Sequence, residues 1–228
     1  MGNRTHYDKE FDRRYAYEGC DLGCTCTQDR TVFKLWSPEA SRVELYLYPD
    51  DASPAQDHRA LAPGDQGVWE LTLEGSLHGV YYDFEVTVEG RTARTADPYA
   101  AACGRNGLRS MAVDLARTDP EGFDRDVPPP APPENIIYEL HVKDFSHHPD
   151  SGVPEELRGT FRAFAWKDPE GRLPLCMQYL KELGVTHVQL LPIYDFGSVD
   201  EGGDPSQFNW GYDPVNHNVP EGSYSTDP

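Results

Sequence analysis

The residues best suited to chemistry lie near the end of the chain, in the run 208–214. Asn209, Trp210, Tyr212 and Asp213 place an amide, two aromatic rings and a carboxylate close together. An aromatic ring can cover the flat apolar face of a sugar at little entropic cost, while amides and carboxylates bind its hydroxyls. Taken alone, however, Trp210 and Tyr212 are more often packing residues, and an Asp-Pro pair is more often a turn. The residue types therefore leave a sugar site and a structural loop both open.

The order of residues in this run resembles the Y-N-W-G-Y-D-P signature of type I pullulanases, and the likeness continues to the end of the chain. Phe208 departs from the pattern, because it replaces a tyrosine and lacks the hydroxyl. Pullulanases of this type belong to glycoside hydrolase family 13 and cleave α-1,6 branch points in starch-like glucans. The resemblance implies that Tyr212 is the platform beneath the sugar at the cleavage subsite. It gives Asn209, Trp210 and Asp213 a role either in binding hydroxyls or in supporting the loop.

The strands and the helix that are expected to position this run follow a proline-rich stretch at 126–133. This stretch is stiff and cannot join a sheet. Apolar residues then predict a buried strand at 136–142, a helix at 173–183 that Gly184 ends, and a second strand at 186–192. A strand, a crossover helix and a parallel strand form the repeating unit of a (β/α)8 barrel. Active sites of such barrels lie at the carboxyl ends of the strands, so the aromatic run is expected at that mouth.

The first half of the chain alternates apolar and polar residues, as in 43–47, 68–73 and 82–88. Several short strands at close spacing predict an antiparallel β-sandwich. The order of its motifs resembles the family 48 carbohydrate-binding module that precedes the barrel in type I pullulanases. The motifs that carry this resemblance are Phe33–Pro38, Gly67–Trp69, Gly79–Tyr82 and Asp97–Gly107.

These patterns predict a multidomain chain in which an Ig-like antiparallel β-sandwich is followed by the first β-α-β part of a (β/α)8 TIM barrel. The predicted segments are an amino-terminal segment at 1–27, the sandwich at 28–118, a proline-rich linker at 119–133, and the start of a truncated catalytic domain at 134–228.

Four aromatic residues could form a glucan-binding face on the sandwich, namely Trp36, Trp69, Tyr81 and Tyr82. Alternation puts Trp69 with leucines on a core-like face. Tyr81 falls with polar residues and is the predicted exposed sugar platform. Tyr212 is expected to contribute little to binding by this chain alone, because a lone platform in a mobile loop incurs an ordering cost.

The composition limits the kinds of molecule that this chain is expected to bind. The 20 basic and 39 acidic residues give a net charge of −19, which repels nucleic acid and anionic lipid but does not affect a neutral glucan. No apolar run approaches the ~20 residues that span a bilayer, and the start lacks the apolar core of a secretory signal. The five cysteines are odd in number and lack paired or metal-finger spacing. We therefore expect reduced thiols, a cytoplasmic location, no membrane partner and no metal site.

No catalytic residue is assigned in this chain. The family 13 resemblance places the nucleophilic aspartate, the acid–base glutamate and a further aspartate on later barrel strands, beyond Pro228. His141, within a predicted strand, is expected to be a hydrogen-bonded core residue rather than a catalyst.

The chain thus resembles the amino-terminal fragment of a debranching enzyme that hydrolyses α-1,6 links in pullulan, limit dextrins and starch- or glycogen-like glucans with retention. The chain alone is expected to be inactive. No cofactor is expected, although calcium is open for the full-length family, and the oligomeric state stays open. Two alternatives remain: a non-catalytic α-glucan-binding module and one half of a split enzyme.

Overall fold

The computed structural model describes residues 9–204 and 206–226. The expectations for residues 1–8 and 227–228, including that for Pro228, lie outside the described residues. None of the helices in the described part of the chain has the length and hydropathy needed to cross a bilayer.

The chain divides into two compact units. Among the described residues, unit 1 comprises 9–104 and 108–119, and unit 2 comprises 105–107, 120–204 and 206–226. The architecture is mostly β-sheet, and each unit is built around its own apolar clusters.

Unit 1 begins with a short helix and continues with strands. The helix is Lys9–Tyr15 (α1), and the strands are Gly23–Cys26 (β1), Arg30–Trp36 (β2), Ala40–Tyr48 (β3), Asp57–Ala60 (β4), Ala62–Pro63 (β5), Val68–Glu74 (β6), Tyr81–Val88 (β7), Arg91–Thr95 (β8) and Ser110–Met111 (β9). One sheet has the order β1-β2-β6-β5, and the other has the order β4-β3-β7-β8 with β9 also paired to β7. All of these pairings are antiparallel.

The core of unit 1 lies between these two sheets. Phe33 and Leu35 of β2 are buried, as are Tyr82 and Phe84 of β7. The rings of Phe33 and Tyr82 meet across the core with centroids 4.9 Å apart. Trp69 of β6 joins the same cluster and is only 9% exposed. The predicted antiparallel sandwich and the inward position of Trp69 are therefore confirmed.

The first strand lies outside the predicted sandwich. Residues 23–26 fall in the predicted amino-terminal segment, yet they form β1 and pair with β2 along its length. This short strand of glycine, cysteine and threonine has too few apolar residues to show a strong alternation. Its partner strand supplies the hydrogen bonds that hold it in the sheet.

Unit 2 contains Ile137–Leu140 (β10), Met177–Glu182 (α2), His187–Leu190 (β11), Tyr194–Phe196 (β12) and Pro214–Pro220 (β13). The β10 and β11 strands pair in parallel, as expected of a strand-helix-strand unit. The β12 and β13 strands are antiparallel with an irregular register.

The helix of unit 2 is shorter than the predicted 173–183. Cys176 has a φ of 45°, a left-handed value that breaks the helix before Met177. Pro174 also disfavours helical geometry at Leu173, which is 58% exposed. Only Leu180 of the predicted apolar stripe is fully buried. The helix that the apolar spacing predicts is present, but it begins at Met177, four residues after the predicted start at 173.

The two parallel strands are less buried than their apolar residues predict. Every residue of β11 is exposed, and Ile137 of β10 is 64% exposed, while Leu140 and Val142 are buried. A two-stranded sheet leaves most of its apolar surface open unless other layers cover it. No further strand pairs with this sheet among the residues that the structure describes.

Candidate functional site

The aromatic run 208–214 lies at the end of the loop that follows β12 and reaches the first residue of β13. Asn209 holds this loop by hydrogen bonds. The Asn209 side-chain amide donates to the carbonyl of Gly197 at 2.7 Å, and its Oδ1 accepts from the backbone N–H of Gly211 at 2.7 Å. The Asn209 carbonyl lies 2.9 Å from Nε2 of His141. Asn209 therefore supports the loop, and these hydrogen bonds lower the ordering cost expected for a sugar platform at Tyr212.

His141 is the internal anchor of the loop. It is 5% exposed, and its Nδ1 accepts from the backbone N–H of Asp144 at 3.2 Å. Nε2 is therefore the ring nitrogen that donates, and it lies 2.9 Å from both the Asn209 carbonyl and the Tyr224 hydroxyl. This confirms the expected hydrogen-bonded core histidine.

Gly211 separates the two large aromatics of the loop. Its φ is +82°, and a Cβ at this position would lie 2.5 Å from the carbonyl oxygen of Pro192. Only glycine fits such a left-handed, closely packed position without strain. The backbone can thus lie against Pro192 while Trp210 and Tyr212 point outward, with 60% and 66% of their surfaces exposed.

Gly211→Ala is expected to loosen this loop, because the new methyl group meets Pro192 and the left-handed backbone is strained. We expect a loss of about 1–3 kcal/mol in local stability and faster proteolytic cleavage within 208–214. Gly171→Ala is the matched control, since Gly171 also has a positive φ but has open space around it. Equal effects of the two substitutions in limited proteolysis would contradict the role of the Pro192 contact.

Asp213 also binds within its own loop. Its carboxylate accepts a short hydrogen bond from Ser198, and this bond, with a further one from Asn209, holds the pKa of Asp213 below its ordinary value. Both hydrogen bonds join Asp213 to residues of its own loop, so Asp213 supports the loop. Ser198 is a contributor that the sequence pattern did not mark.

The remaining rings form a short series on the same loop. Phe208 contacts His141 with centroids 5.3 Å apart and meets Trp210 edge-on at 6.1 Å. Trp210 is therefore braced on one side, whereas most of the Tyr212 ring is open. This arrangement can offer flat apolar surfaces to a sugar with little loss of side-chain freedom on binding.

A cluster of carboxyl groups lies in the same unit. One oxygen each of Asp195, Glu201 and Glu221 come within 4.8 Å of one another. Asp195 accepts from the side-chain amide of Asn216 at 2.6 Å, and Glu201 accepts a short hydrogen bond from the backbone N–H of Asn106. Oxygen ligands of this kind suit a hard cation such as calcium. A proton shared between two of the carboxyl groups would also stabilise the cluster. The spacing of acidic residues in the sequence does not predict this cluster.

Burial controls the ionisation of this cluster. Asp195 and Glu221 are 2% and 1% exposed. Burial raises the pKa of Asp195 above its ordinary value and raises the pKa of Glu221 to about 7. For Glu221, hydrogen bonds from Ser223 oppose this increase and the charge of Glu201 adds to it, both to a smaller extent. The cluster can therefore take up a proton near neutral pH.

Tyr81 is not the exposed platform that alternation predicts. It is half-buried, burial raises its pKa, and a Cβ on Gly104 would lie 2.8 Å from its ring. On the same face of β7, Asp83 is only 7% exposed and accepts from the Tyr48 hydroxyl at 2.7 Å. The Arg109 guanidinium covers the Tyr48 ring at 3.7 Å. Side chains from β3 and from the segment just before β9 thus cover the polar face, which alternation within β7 cannot show.

The sheets of unit 1 form an antiparallel β-sandwich. Within it, residues 21–100 match the family model of carbohydrate-binding module 48 (isoamylase N-terminal domain). Over almost its whole length the chain is similar to the amino-terminal region of pullulanases. It is 36% identical over 222 residues to the pullulanase of Bacillus subtilis strain 168, which covers 96% of this chain and 30% of that protein. It is 34% identical over 262 residues to chloroplastic pullulanase 1 of Arabidopsis thaliana, covering 95% of this chain and 26% of that protein.

Solved structures show the same similarity. The pullulanase of Paenibacillus barengoltzii, crystallised with maltohexaose and α-cyclodextrin, superposes with a TM-score of 0.89 at 42% identity, covering 97% of this chain and 35% of that one. The pullulanase of Bacillus acidopullulyticus superposes with a TM-score of 0.85, also at 42% identity, covering 94% of this chain and 26% of that one. The predicted resemblance is confirmed, and the chain spans about a third or less of each of these relatives.

Proposed function

We propose that this chain recognises α-glucan for a pullulanase-type debranching enzyme. The observation that carries the proposal is the pair of exposed rings, Trp210 and Tyr212, on a loop that Asn209 and His141 fix from within. The similarity to pullulanases and the carbohydrate-binding module at 21–100 support the same class of ligand.

The parallel pair of β10 and β11, with α2 between them in sequence, is the proposed start of a (β/α)8 barrel. Two features support this proposal: the strands pair in parallel, and the apolar side chains of Ile137 and Val188 are exposed. Further strands and helices of a larger enzyme would cover that surface. The run 208–214 would then lie at the mouth where the barrel chemistry occurs.

Within such an enzyme, Tyr212 is the proposed platform beneath a glucose ring, with Trp210 beside it. Asn209 and Asp213 hold the loop. The substrates would be branched α-glucans such as pullulan, limit dextrins, starch and glycogen, and the α-1,6 links would be hydrolysed with retention by carboxylates outside this chain. Catalysis of this kind requires no cofactor. The five free thiols fit a reducing, cytoplasmic location.

The chain by itself is expected to release no reducing sugar from pullulan. A retaining glycosidase needs a nucleophilic carboxylate and an acid–base about 5–5.5 Å apart across the scissile bond, and the residues implied for these roles fall outside this chain. The measurement is a reducing-sugar assay on protein purified from a host that lacks amylolytic enzymes. Release above a no-protein control would contradict the assignment and favour a catalytic pair among the residues of this chain.

Glucan recognition is tested by native electrophoresis in gels that contain pullulan. The wild-type chain is expected to be retarded relative to a gel without polysaccharide, and Tyr212→Ala is expected to be retarded less. Tyr194→Ala is the matched control, because Tyr194 belongs to the same unit and is 46% exposed but lies on β12 rather than in the loop. A wild-type chain that migrates equally with and without pullulan would refute the proposed function.

A further inference from the structure

We propose that unit 1 carries its own α-glucan subsite, in a groove between α1 and the edge of the sandwich where Trp36 and Tyr99 are exposed. The inference rests on the proposed function, because it names a second place where the chain recognises the same ligand. Neither residue belongs to the loop at 208–214, and Tyr99 was not among the aromatics expected to form a sugar-binding face.

The groove has a volume of about 330 Å³. This lies at the lower end of the ~300–1,000 Å³ found for small-molecule sites. Its principal lining residues are Phe11, Asp12, Tyr15, Tyr17, Trp36 and Tyr99. Aromatic side chains therefore dominate the walls, and a carboxylate and phenol hydroxyls accompany them.

Trp36 is held in one orientation by backbone groups. Its indole N–H donates to the carbonyl of Tyr15 at 2.9 Å and lies 3.1 Å from that of Gln66. Since the polar group of the ring is already satisfied, the surface that stays open, 39% of the residue, is mainly apolar. The inward neighbours on β2 form the core, so Trp36 is not needed to fill it.

Tyr99 is fixed at its backbone and open at its ring. The buried Asp97 accepts from the Tyr99 N–H at 2.8 Å and from the Tyr82 hydroxyl at 2.8 Å. On the other side, a Cβ at Gly23 would lie 2.8 Å from the Cβ of Tyr99, so the strand passes closely against it. The ring nevertheless remains outside the core, with 47% of the residue exposed.

The remaining wall is attached to the sandwich by hydrogen bonds. Tyr15 and Phe11 lie on α1 with ring centroids 4.8 Å apart. The Gln66 side chain donates to the carbonyl of Ala16 at 2.6 Å, directly after the helix. The Trp36 indole holds the preceding carbonyl, that of Tyr15. The groove is therefore formed in advance, and a ligand would not have to order it.

A neutral sugar chain fits this surface better than the alternatives. A glucose unit presents apolar C–H faces ringed by hydroxyls, which match aromatic walls beside the Asp12 carboxylate. The Tyr17 hydroxyl donates to Asp21 and keeps its oxygen as an acceptor for a sugar hydroxyl. The net charge of −19 disfavours an anionic ligand. We therefore assign the groove to a short segment of α-1,4-linked glucan.

The test uses maltohexaose and the full chain. N-bromosuccinimide oxidises exposed tryptophans, and peptide mass spectrometry reports each one separately. Bound maltohexaose is expected to protect Trp36. Tyr99→Ala is expected to weaken maltohexaose binding about tenfold or more, as loss of a central aromatic contact does. This variant removes only an exposed ring and keeps the backbone bond to Asp97, so it should fold. Leu115→Ala, at a residue of the same unit that is 60% exposed, is the control and should bind normally.

The outcomes separate the two proposals. Protection of Trp36 together with weak binding by Tyr99→Ala supports the groove. If the wild-type chain binds maltohexaose but Trp36 is oxidised at the same rate and Tyr99→Ala binds normally, the groove is overturned while the proposed function stands. If the wild-type chain binds neither maltohexaose nor pullulan, the proposed function itself is wrong, and the groove assignment fails with it.

Discussion

Replacing Phe33 with alanine is expected to lower the free energy of unfolding of unit 1 by about 3–5 kcal/mol. Phe33 is fully buried between the two sheets, and its ring meets that of Tyr82 at 4.9 Å. Deleting the ring removes apolar surface from the core and leaves a cavity that paired strands cannot easily close. Domains have a total stability of about 5–15 kcal/mol, so this single change would unfold a substantial fraction of the unit.

Urea denaturation followed by circular dichroism measures this effect. The midpoint for Phe33→Ala should fall well below that of the wild-type chain, with the slope of the transition unchanged. Leu115→Ala supplies the control, because it removes an apolar side chain that is 60% exposed, and a change within about 0.5 kcal/mol is expected. A loss below about 1 kcal/mol at Phe33 would mean that the two sheets do not share the core described above.

Unit 2 is expected to lose stability as the pH rises from about 5 to about 7, and Glu221→Gln is expected to remove much of that dependence. Burial raises the pKa of Glu221 from its ordinary value of 4.5 to about 7. Between these values the folded form keeps a proton that the unfolded form has lost, so raising the pH favours unfolding. The difference between these two pKa values corresponds to a loss on the order of 3 kcal/mol above pH 7. The raised pKa of Asp195 acts with the same sign.

Hydrogen exchange of peptides from residues 190–224, followed between pH 5 and pH 7.5 and corrected for the intrinsic exchange rate, measures this prediction. A chelator keeps any cation bound to the carboxyl cluster from masking the proton effect. Glu156→Gln is the matched control, because Glu156 is exposed in the same unit and should leave the pH dependence unchanged. An identical slope in wild-type and Glu221→Gln protein would show that Glu221 does not hold a proton in the folded state.

The strands of the sandwich could be predicted from the sequence because their signal is local. Alternating side chains point to opposite faces of a strand, so the positions of Phe33 and Leu35 on one face follow from their spacing. The inward position of Trp69 follows in the same way. The parallel strand-helix-strand order of unit 2 was also predicted, since it depends on the length and periodicity of consecutive segments.

The exposure of residues on the outer face of a strand could not be predicted from the sequence in this way. Tyr81 and Asp83 share the polar face of β7, but Tyr48 and Arg109 come from distant parts of the chain to cover it. The helix before β11 is short because of the backbone at Cys176, which apolar spacing does not report. Burial therefore depends on which other elements pack nearby, and alternation within one strand carries no information about them.

The sequence by itself determined the sandwich, the parallel strand pair and the resemblance to pullulanases, because each rests on the order of residues within a segment. Only the tertiary structure decided which aromatics are exposed, how Asn209 and His141 fix the loop, and where Asp195 and Glu221 meet. These features join side chains that are far apart in sequence, as in the groove between Tyr15, Trp36 and Tyr99. Their proximity results from the pairing of strands and the packing of sheets, so it exists only once the chain has folded.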